Sequence, residues 1–183
     1  MIKNDYEVRA KKFIHIIHPF LQEIEINEMN EFDIEIRLAH FNRAYHRAVK
    51  MRQGASRFAF ITSDYVVKID KYTHSSWGTS EDEVLAYNKA KEIGREYLLA
   101  KITKYIYEDR TYYIMPKVSV CENHNYKRTK DAWDALNITE QAFIDNNFGD
   151  LHQGNEGTYK GHYVLLDYAL NIFSEKKKRR VSP

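Results

Sequence analysis

A chain of 183 residues, of which 43% are hydrophobic, can bury one sizeable core but hardly two independent ones, so we expect one compact unit. Its 28 basic and 26 acidic side chains leave a net charge of +2, which is too balanced for nucleic acid to be the main partner. The exception is a basic tail over residues 176–183, which could touch phosphates.

The first part of the chain is expected to be helical. A helix is predicted from Tyr6 to about Glu25, and Pro19 should interrupt or bend it because an interior proline removes a backbone donor. A second, amphipathic helix is predicted by apolar residues spaced three and four apart: Ile34, Leu38, Phe41, Tyr45 and Ala48. Together the two helices form an N-terminal helical extension over residues 1–47.

The period of the pattern then changes from helix to strand. Two β-rich runs, 57–61 and 65–69, flank the polar pair Ser63-Asp64, which predicts a hairpin. A helix follows over about 81–93, with Ser80 as its N-cap.

That helix should end at Gly94, since glycine often terminates helices. Two further strands are predicted near 98–107 and 111–115, which gives the order strand, strand, helix, strand, strand. Short helical patterns follow around 132–136 and 140–147.

The most informative motif lies near the end of the chain. Residues 150–155 read D-L-H-Q-G-N, and a short apolar run then leads to Asp167. In phosphoryl transfer by kinases, a D-x-x-x-x-N loop supplies the residue that orients the acceptor hydroxyl and a ligand to Mg²⁺, and a later Asp supplies another. Asp150, Asn155 and Asp167 keep that order, and His152 is expected to hydrogen-bond within the loop.

With these residues the span from Val49 to Asp167 resembles the protein-kinase-like superfamily, especially the small serine/threonine kinases encoded early by bacteriophages. The resemblance implies an α+β, two-lobe kinase-like fold with a truncated C-terminal lobe, as a minimal domain over 48–175. It also implies Asp150 as catalytic base, with Asn155 and Asp167 as the Mg²⁺ ligands.

Other positions match the nucleotide-binding parts of that pattern. Gly54 and Ser56 lie in a segment that resembles the phosphate-covering loop, although Gly54 alone remains of its three glycines. Lys68 matches the V-A-I-K lysine that contacts the phosphates, and Glu83 matches its partner on the following helix, although Glu81 lies close enough to compete for the ion pair. Met115 would begin the hinge whose backbone binds adenine.

The motif that follows the apolar run departs from the family pattern. It reads Asp167-Tyr168-Ala169 in place of D-F-G, which keeps the metal ligand and changes the hinge behind it.

Three functions remain open. The first is an ATP- and Mg²⁺-dependent kinase that phosphorylates host proteins in the bacterial cytoplasm. The second is a catalytically silent module that binds and inhibits a host protein, and the third is a small-molecule phosphotransferase.

Several classes of site are not expected. The single cysteine, Cys121, excludes an internal disulfide and a cysteine-based zinc site. No window approaches the roughly 18 apolar residues that cross a bilayer, so we expect a cytoplasmic protein. His15 and His18 share a helical face, but no third metal ligand is evident from the sequence and packing roles are expected.

Overall fold

The computed structural model of the protein describes residues 5–26, 31–45, 48–54, 57–71, 78–121, 125–149 and 151–172. The α-helices and strands follow one another along these residues in this order: α1 Asp5–Ile26, α2 Glu31–Ala44, β1 Lys50–Gln53, β2 Arg57–Ile61, β3 Tyr65–Asp70, α3 Ser80–Glu92, β4 Thr103–Tyr107, β5 Arg110–Pro116, β6 Ser119–Val120, α4 Tyr126–Asp134, α5 Ile138–Asn147, β7 Glu156–Tyr159 and β8 His162–Leu165. The mixture of helix and sheet confirms the predicted α+β class. Within the described residues, none of the helices combines the length and apolarity that crossing a membrane requires.

The chain divides into two units. The first takes the described residues up to Lys71 together with Lys104–Lys117, and the second takes the rest. The first unit contains a five-stranded sheet in the order β1-β2-β3-β5-β4. The predicted hairpin is confirmed as β2 and β3, which are antiparallel, and β1 is a strand that the sequence analysis did not predict. Strand order and the helix after β3 agree with a kinase-like arrangement, in which the lysine lies on the third strand.

Both N-terminal helices belong to the core of the first unit. Helix α1 continues through Pro19, so the expected interruption is wrong. Phe13 is fully buried, and its ring lies 6.3 Å from the Phe41 ring, 6.5 Å from Phe60 and 5.9 Å from Tyr65. One hydrophobic cluster therefore joins α1 and α2 to the sheet.

Helix α2 is shorter than the apolar spacing predicts. It ends at Ala44, and Tyr45 is 53% exposed although its pattern places it on the buried stripe. The cause is Asn42, whose amide donates to the Val49 carbonyl at 2.8 Å and accepts from the Val49 N–H at 3.0 Å. These two hydrogen bonds resemble those between paired strands, and they hold Val49, the residue before β1, against the end of α2.

The ends of α3 are defined by side-chain and backbone hydrogen bonds. Thr79 is the N-cap and forms a capping box with Asp82, so the prediction of Ser80 as the cap is wrong by one residue. Gly94 has a φ of 68°, and Arg95 donates to the Ala90 carbonyl at 2.8 Å. This is the glycine-dependent helix end that the sequence predicts.

The second unit contains the small sheet β6-β7-β8 with α4 and α5. The strand predicted near 98–107 is wrong in its first half, where Glu96–Leu98 form a 3₁₀ turn and Leu99 makes only an isolated bridge to Leu165. Leu98, Leu99 and Ala100 are nevertheless buried. A continuous apolar run does not distinguish a strand from a buried irregular segment.

If α1 is part of the core, the substitution Phe13→Ala should lower the free energy of unfolding by about 3–5 kcal/mol, because it leaves a cavity among aromatic rings. Chemical denaturation of the full chain measures the loss. The matched control is Val8→Ala on the same helix, which is 46% exposed and should change stability by less than about 0.5 kcal/mol. Equal, small losses in both variants would contradict the packing of α1 described above.

Candidate functional site

Lys68 lies in the middle of the first unit's sheet. On β3 it is paired with Ala59 of β2 on one side and with Tyr113 of β5 on the other. The residue is only 8% exposed, which is rare for lysine outside an ion pair or a binding site. Met115, the predicted start of the adenine-binding hinge, is 2% exposed near the end of β5 and is paired with Val66.

Gly54 follows β1 directly, at the point where the phosphate-covering loop is predicted. Its N–H donates to the Arg57 carbonyl at 2.9 Å, and an added Cβ would lie 3.7 Å from that oxygen, an ordinary contact. The folded backbone itself therefore has room for a small side chain at this position. Ser56, the other residue predicted for this loop, lies outside the described residues.

Lys71, which follows β3, contacts this loop and was missed by the sequence analysis. Its ammonium donates to the Gly54 carbonyl at 2.8 Å and lies 4.8 Å from the centre of the Phe58 ring. Partial burial lowers the pKa of Lys71 from its ordinary value. The hairpin register was the available signal, since Arg57 is paired with Asp70 at the end of β3 and Lys71 is the residue that follows.

The second unit contains the D-x-x-x-x-N loop. Asn155 closes a 3₁₀ turn, Gln153–Asn155, and is 5% exposed. The His152 ring caps this turn because its Nδ1 accepts from the Gly154 N–H at 3.0 Å, which is the structural role expected for it. Asp150 lies outside the described residues.

The loop and the segment that carries Asp167 are joined by backbone hydrogen bonds. Leu166 donates to the Asn155 carbonyl at 2.6 Å, Gly149 donates to Leu170 at 2.9 Å, and Ile172 donates to Asn147 at 3.0 Å. Residues 166–172 thus run along the described residues 147–149 and 151–155. The structure therefore brings Asn155 and Asp167, which are twelve positions apart in the sequence, into neighbouring backbone segments.

Asp167 itself has an unusual backbone conformation, with a φ of 47°. Left-handed conformations are costly for residues with a Cβ, although Asp tolerates them better than most, and they cluster at functional sites. The position of the Asp167 carboxylate thus depends on how firmly the next residues are held.

Tyr168 is the first of these anchors. Its hydroxyl donates to the Ala100 carbonyl at 2.6 Å, and its ring lies edge-on to Phe148 at 6.1 Å. Burial, followed by the nearby Glu83 and Tyr87, raises the pKa of the Tyr168 phenol well above its ordinary value, so it remains a donor. The tyrosine that replaces the phenylalanine of D-F-G is therefore a buried hydrogen-bonding anchor.

The start of α3 packs tightly on the next residues of this segment. Gly78 has a φ of 82°, and a Cβ built there would lie 2.7 Å from the Ala169 Cβ. The Asn171 amide donates to the Tyr168 carbonyl at 3.0 Å, to Ala169 at 3.1 Å and to Asp82 at 3.3 Å. Both contacts tie the Asp167 segment to the first turn of α3.

Glu83 lies in that first turn and is fully buried. Glu81, two residues earlier, is exposed. A buried carboxylate is costly without polar or cationic partners, so the stability of Glu83 depends on its surroundings in a way that the exposed Glu81 does not.

The predicted site residues are thus distributed over both units. Gly54, Lys68 and Met115 belong to the first unit. Glu83, Asn155 and Asp167 belong to the second, where the backbone brings the latter two together. An amide oxygen and a carboxylate are hard donors, which is the ligand chemistry that Mg²⁺ prefers.

Comparison with known proteins gives structural neighbours only. No family model and no curated protein matches the chain. The Legionella pneumophila Lpg2603 kinase bound to IP6 is 14% identical with a TM-score of 0.47, and the match covers 69% of this chain and 49% of that one. WbdD is 15% identical with a TM-score of 0.35, and the match covers 68% of this chain and 33% of that one.

WbdD in co-crystal with the kinase inhibitor LY294002 is 16% identical with a TM-score of 0.32, over 70% of this chain and 34% of that one. The chain therefore spans about half or less of these neighbours. Sequence identities and TM-scores this low do not indicate a function, so the function is inferred from the residues of this chain.

The contact between Gly78 and Ala169 can be tested against a glycine with the same backbone strain. Gly161 has a φ of 86° and open space around its Cβ position, so Gly161→Ala should cost only the strain, about 1–2 kcal/mol. Gly78→Ala adds a clash with Ala169 and should lower the free energy of unfolding further. Denaturation of both variants measures the difference, and equal losses would show that the α3 contact does not constrain the Asp167 segment.

Proposed function

We propose that the protein is an ATP- and Mg²⁺-dependent phosphotransferase, of the serine/threonine protein kinase type that the sequence resembles. The observation that carries the proposal is the hydrogen bond from Leu166 to the Asn155 carbonyl, which sets Asn155 beside Asp167. Two oxygen ligands from the D-x-x-x-x-N loop and from the later Asp are what a magnesium–nucleotide site requires. The buried Lys68 on the third strand supports the same reading.

Each residue then has a separate role in the proposed reaction. Asn155 and Asp167 would hold Mg²⁺, which when bound bridges phosphate oxygens and neutralises their charge. Lys68 would contact the phosphates as a cation on a rigid central strand. Glu83 would take the role of the helix carboxylate in the kinase pattern, and Asp150 would orient the acceptor hydroxyl.

We further propose that the acceptor is a serine or threonine hydroxyl of a bacterial host protein, modified in the host cytoplasm. This step is supported by the likeness to phage-encoded kinases over the span from Val49 to Asp167, which retains Lys68, Asp150, Asn155 and Asp167.

The first test is transfer of γ-labelled phosphate from Mg-ATP into the protein itself and into a bacterial lysate. Asp150→Asn should retain nucleotide binding and lower transfer by about 10²–10⁴-fold, because the acceptor hydroxyl loses its orienting base. Asp167→Ala should lose Mg²⁺-dependent nucleotide binding.

Asp145→Asn is the matched control, since Asp145 is exposed on α5 and has no assigned role. If the Asp150→Asn variant transferred phosphate at the rate of the parent, the role proposed for Asp150 would be wrong. A parent that binds ATP without any transfer would favour the catalytically silent module, and transfer to a sugar or an amine alcohol alone would favour the small-molecule enzyme.

A second pair of variants tests the buried carboxylate of α3. Glu83→Gln keeps the shape and removes the charge, and should lower transfer about tenfold to a hundredfold, the equivalent of one charge-assisted hydrogen bond. Glu81→Gln, in the same helix turn but exposed, should leave transfer unchanged. The opposite ranking of the two variants in the labelling assay would assign the role to Glu81.

A further inference from the structure

His18 is a buried histidine in the middle of α1. It is 3% exposed, and its Nδ1 shares a 2.5 Å hydrogen bond with the Tyr112 hydroxyl on β5. The Tyr107 ring packs edge-on against it at 5.3 Å. These two contacts fix the orientation of the imidazole, and Nε2 is the ring nitrogen that remains for a further partner.

That second atom faces two carboxylates. Glu108 and Asp109 form the two-residue loop of the hairpin between β4 and β5. His18 Nε2 lies 3.1 Å from Oε2 of Glu108, yet it makes no hydrogen bond within the described part of the chain. One ligand atom from each of His18, Glu108 and Asp109 can be chosen so that all three lie within 4.8 Å of one another.

We propose that His18, Glu108 and Asp109 form a binding site for a divalent transition-metal ion of the Zn²⁺ class. One imidazole nitrogen and two carboxylate oxygens make up a three-ligand set that leaves a fourth position for water. Ligands of one tetrahedral Zn²⁺ ion stand about 3.4 Å apart, as follows from metal–ligand distances of about 2.1 Å. Both carboxylates are exposed and can rotate to that spacing.

The hydrogen bond to Tyr112 explains why a cation suits this position. If Nδ1–H donates to the phenol oxygen, Nε2 presents a bare lone pair to a carboxylate 3.1 Å away, and two acceptors repel unless a cation lies between them. Histidine ligands to metals commonly donate their other N–H in this way, which orients the ring and raises its basicity.

An ion at this position would join two parts of the chain that are distant in sequence. His18 belongs to α1, and the hairpin loop follows it by ninety positions. The bound ion would therefore fasten the N-terminal helix to the edge of the sheet, and above its dissociation constant it would stabilise the folded state by an amount that rises with the logarithm of its concentration. The site uses none of the residues assigned to phosphoryl transfer.

The test is calorimetric titration of Zn²⁺ into the full chain, with thermal unfolding followed in parallel. The parent should bind one Zn²⁺ at this site and melt at a higher temperature when it is present. Glu108→Gln and Asp109→Asn change exposed side chains and should fold, but each should raise the Zn²⁺ dissociation constant at least about tenfold. Asp131→Asn, an exposed carboxylate of α4, is the control and should bind as the parent does.

Resonances of ¹⁵N-labelled histidine identify the ligand directly, because Zn²⁺ should shift Nε2 of His18 in the parent and in Asp131→Asn. Absence of binding by the parent would overturn the proposal. Equal binding by the parent and both loop variants, with the His18 resonance unmoved, would place the ion elsewhere and overturn it equally.

Discussion

The candidate site in the second unit depends on the side chain of Asn171. This amide is fully buried and has two N–H donors, which it shares among the carbonyls of Tyr168, Ala169 and Asp82. It thereby links the backbone just after Asp167 to the first turn of α3, one residue before Glu83. One buried amide therefore positions both Asp167 and Glu83, two predicted functional residues from different parts of the sequence. Its donors are needed because a buried carbonyl without a donor would be costly.

In the first unit, the N-terminal helices contribute to the same core as the strand that carries Lys68. Phe13 and Phe41 pack with Phe60 and Tyr65, so the sheet buries one face against helices that precede it in the chain. Sheets need such cover, since a face rich in aromatic and β-branched residues is stable only when removed from water. Packing thus gives α1 and α2 a structural role, whatever further role they have.

Local patterns in the sequence predict local structure well. The hairpin of β2 and β3, the helix before Gly94 and the hydrogen bond of His152 within its loop all depend on residues within a few positions of one another. The errors arise where a distant group decides the outcome. Tyr45 is exposed where α2 ends and Asn42 binds Val49, and the run near Leu99 is not a strand because, among the described residues, Leu99 is paired only through an isolated bridge to Leu165.

The same limit applies to the sites. The order of Asn155 and Asp167 suggests a metal site from the sequence, because a known spacing connects them. His18 offers no such signal, since its proposed co-ligands are ninety residues away and become neighbours only when α1 packs on the hairpin of β4 and β5. Lys71 could be predicted in part. The register of the hairpin places it near the loop at Gly54, but the sequence does not give the direction of a side chain at the end of a strand.

Backbone strain distinguishes Asp167 from the other residues that share its conformation. Among the described residues, the non-glycine positions with positive φ are Glu108, Lys160 and Asp167. Glu108 and Lys160 each begin a two-residue hairpin loop, where the favoured turns require a positive φ at that position. Asp167 lies in no such loop, so turn geometry does not account for its conformation. Hydrogen bonds from Leu166, Tyr168 and Asn171 hold Asp167 in this conformation. Such an arrangement is expected where the direction of a carboxylate matters more than a low-energy backbone conformation.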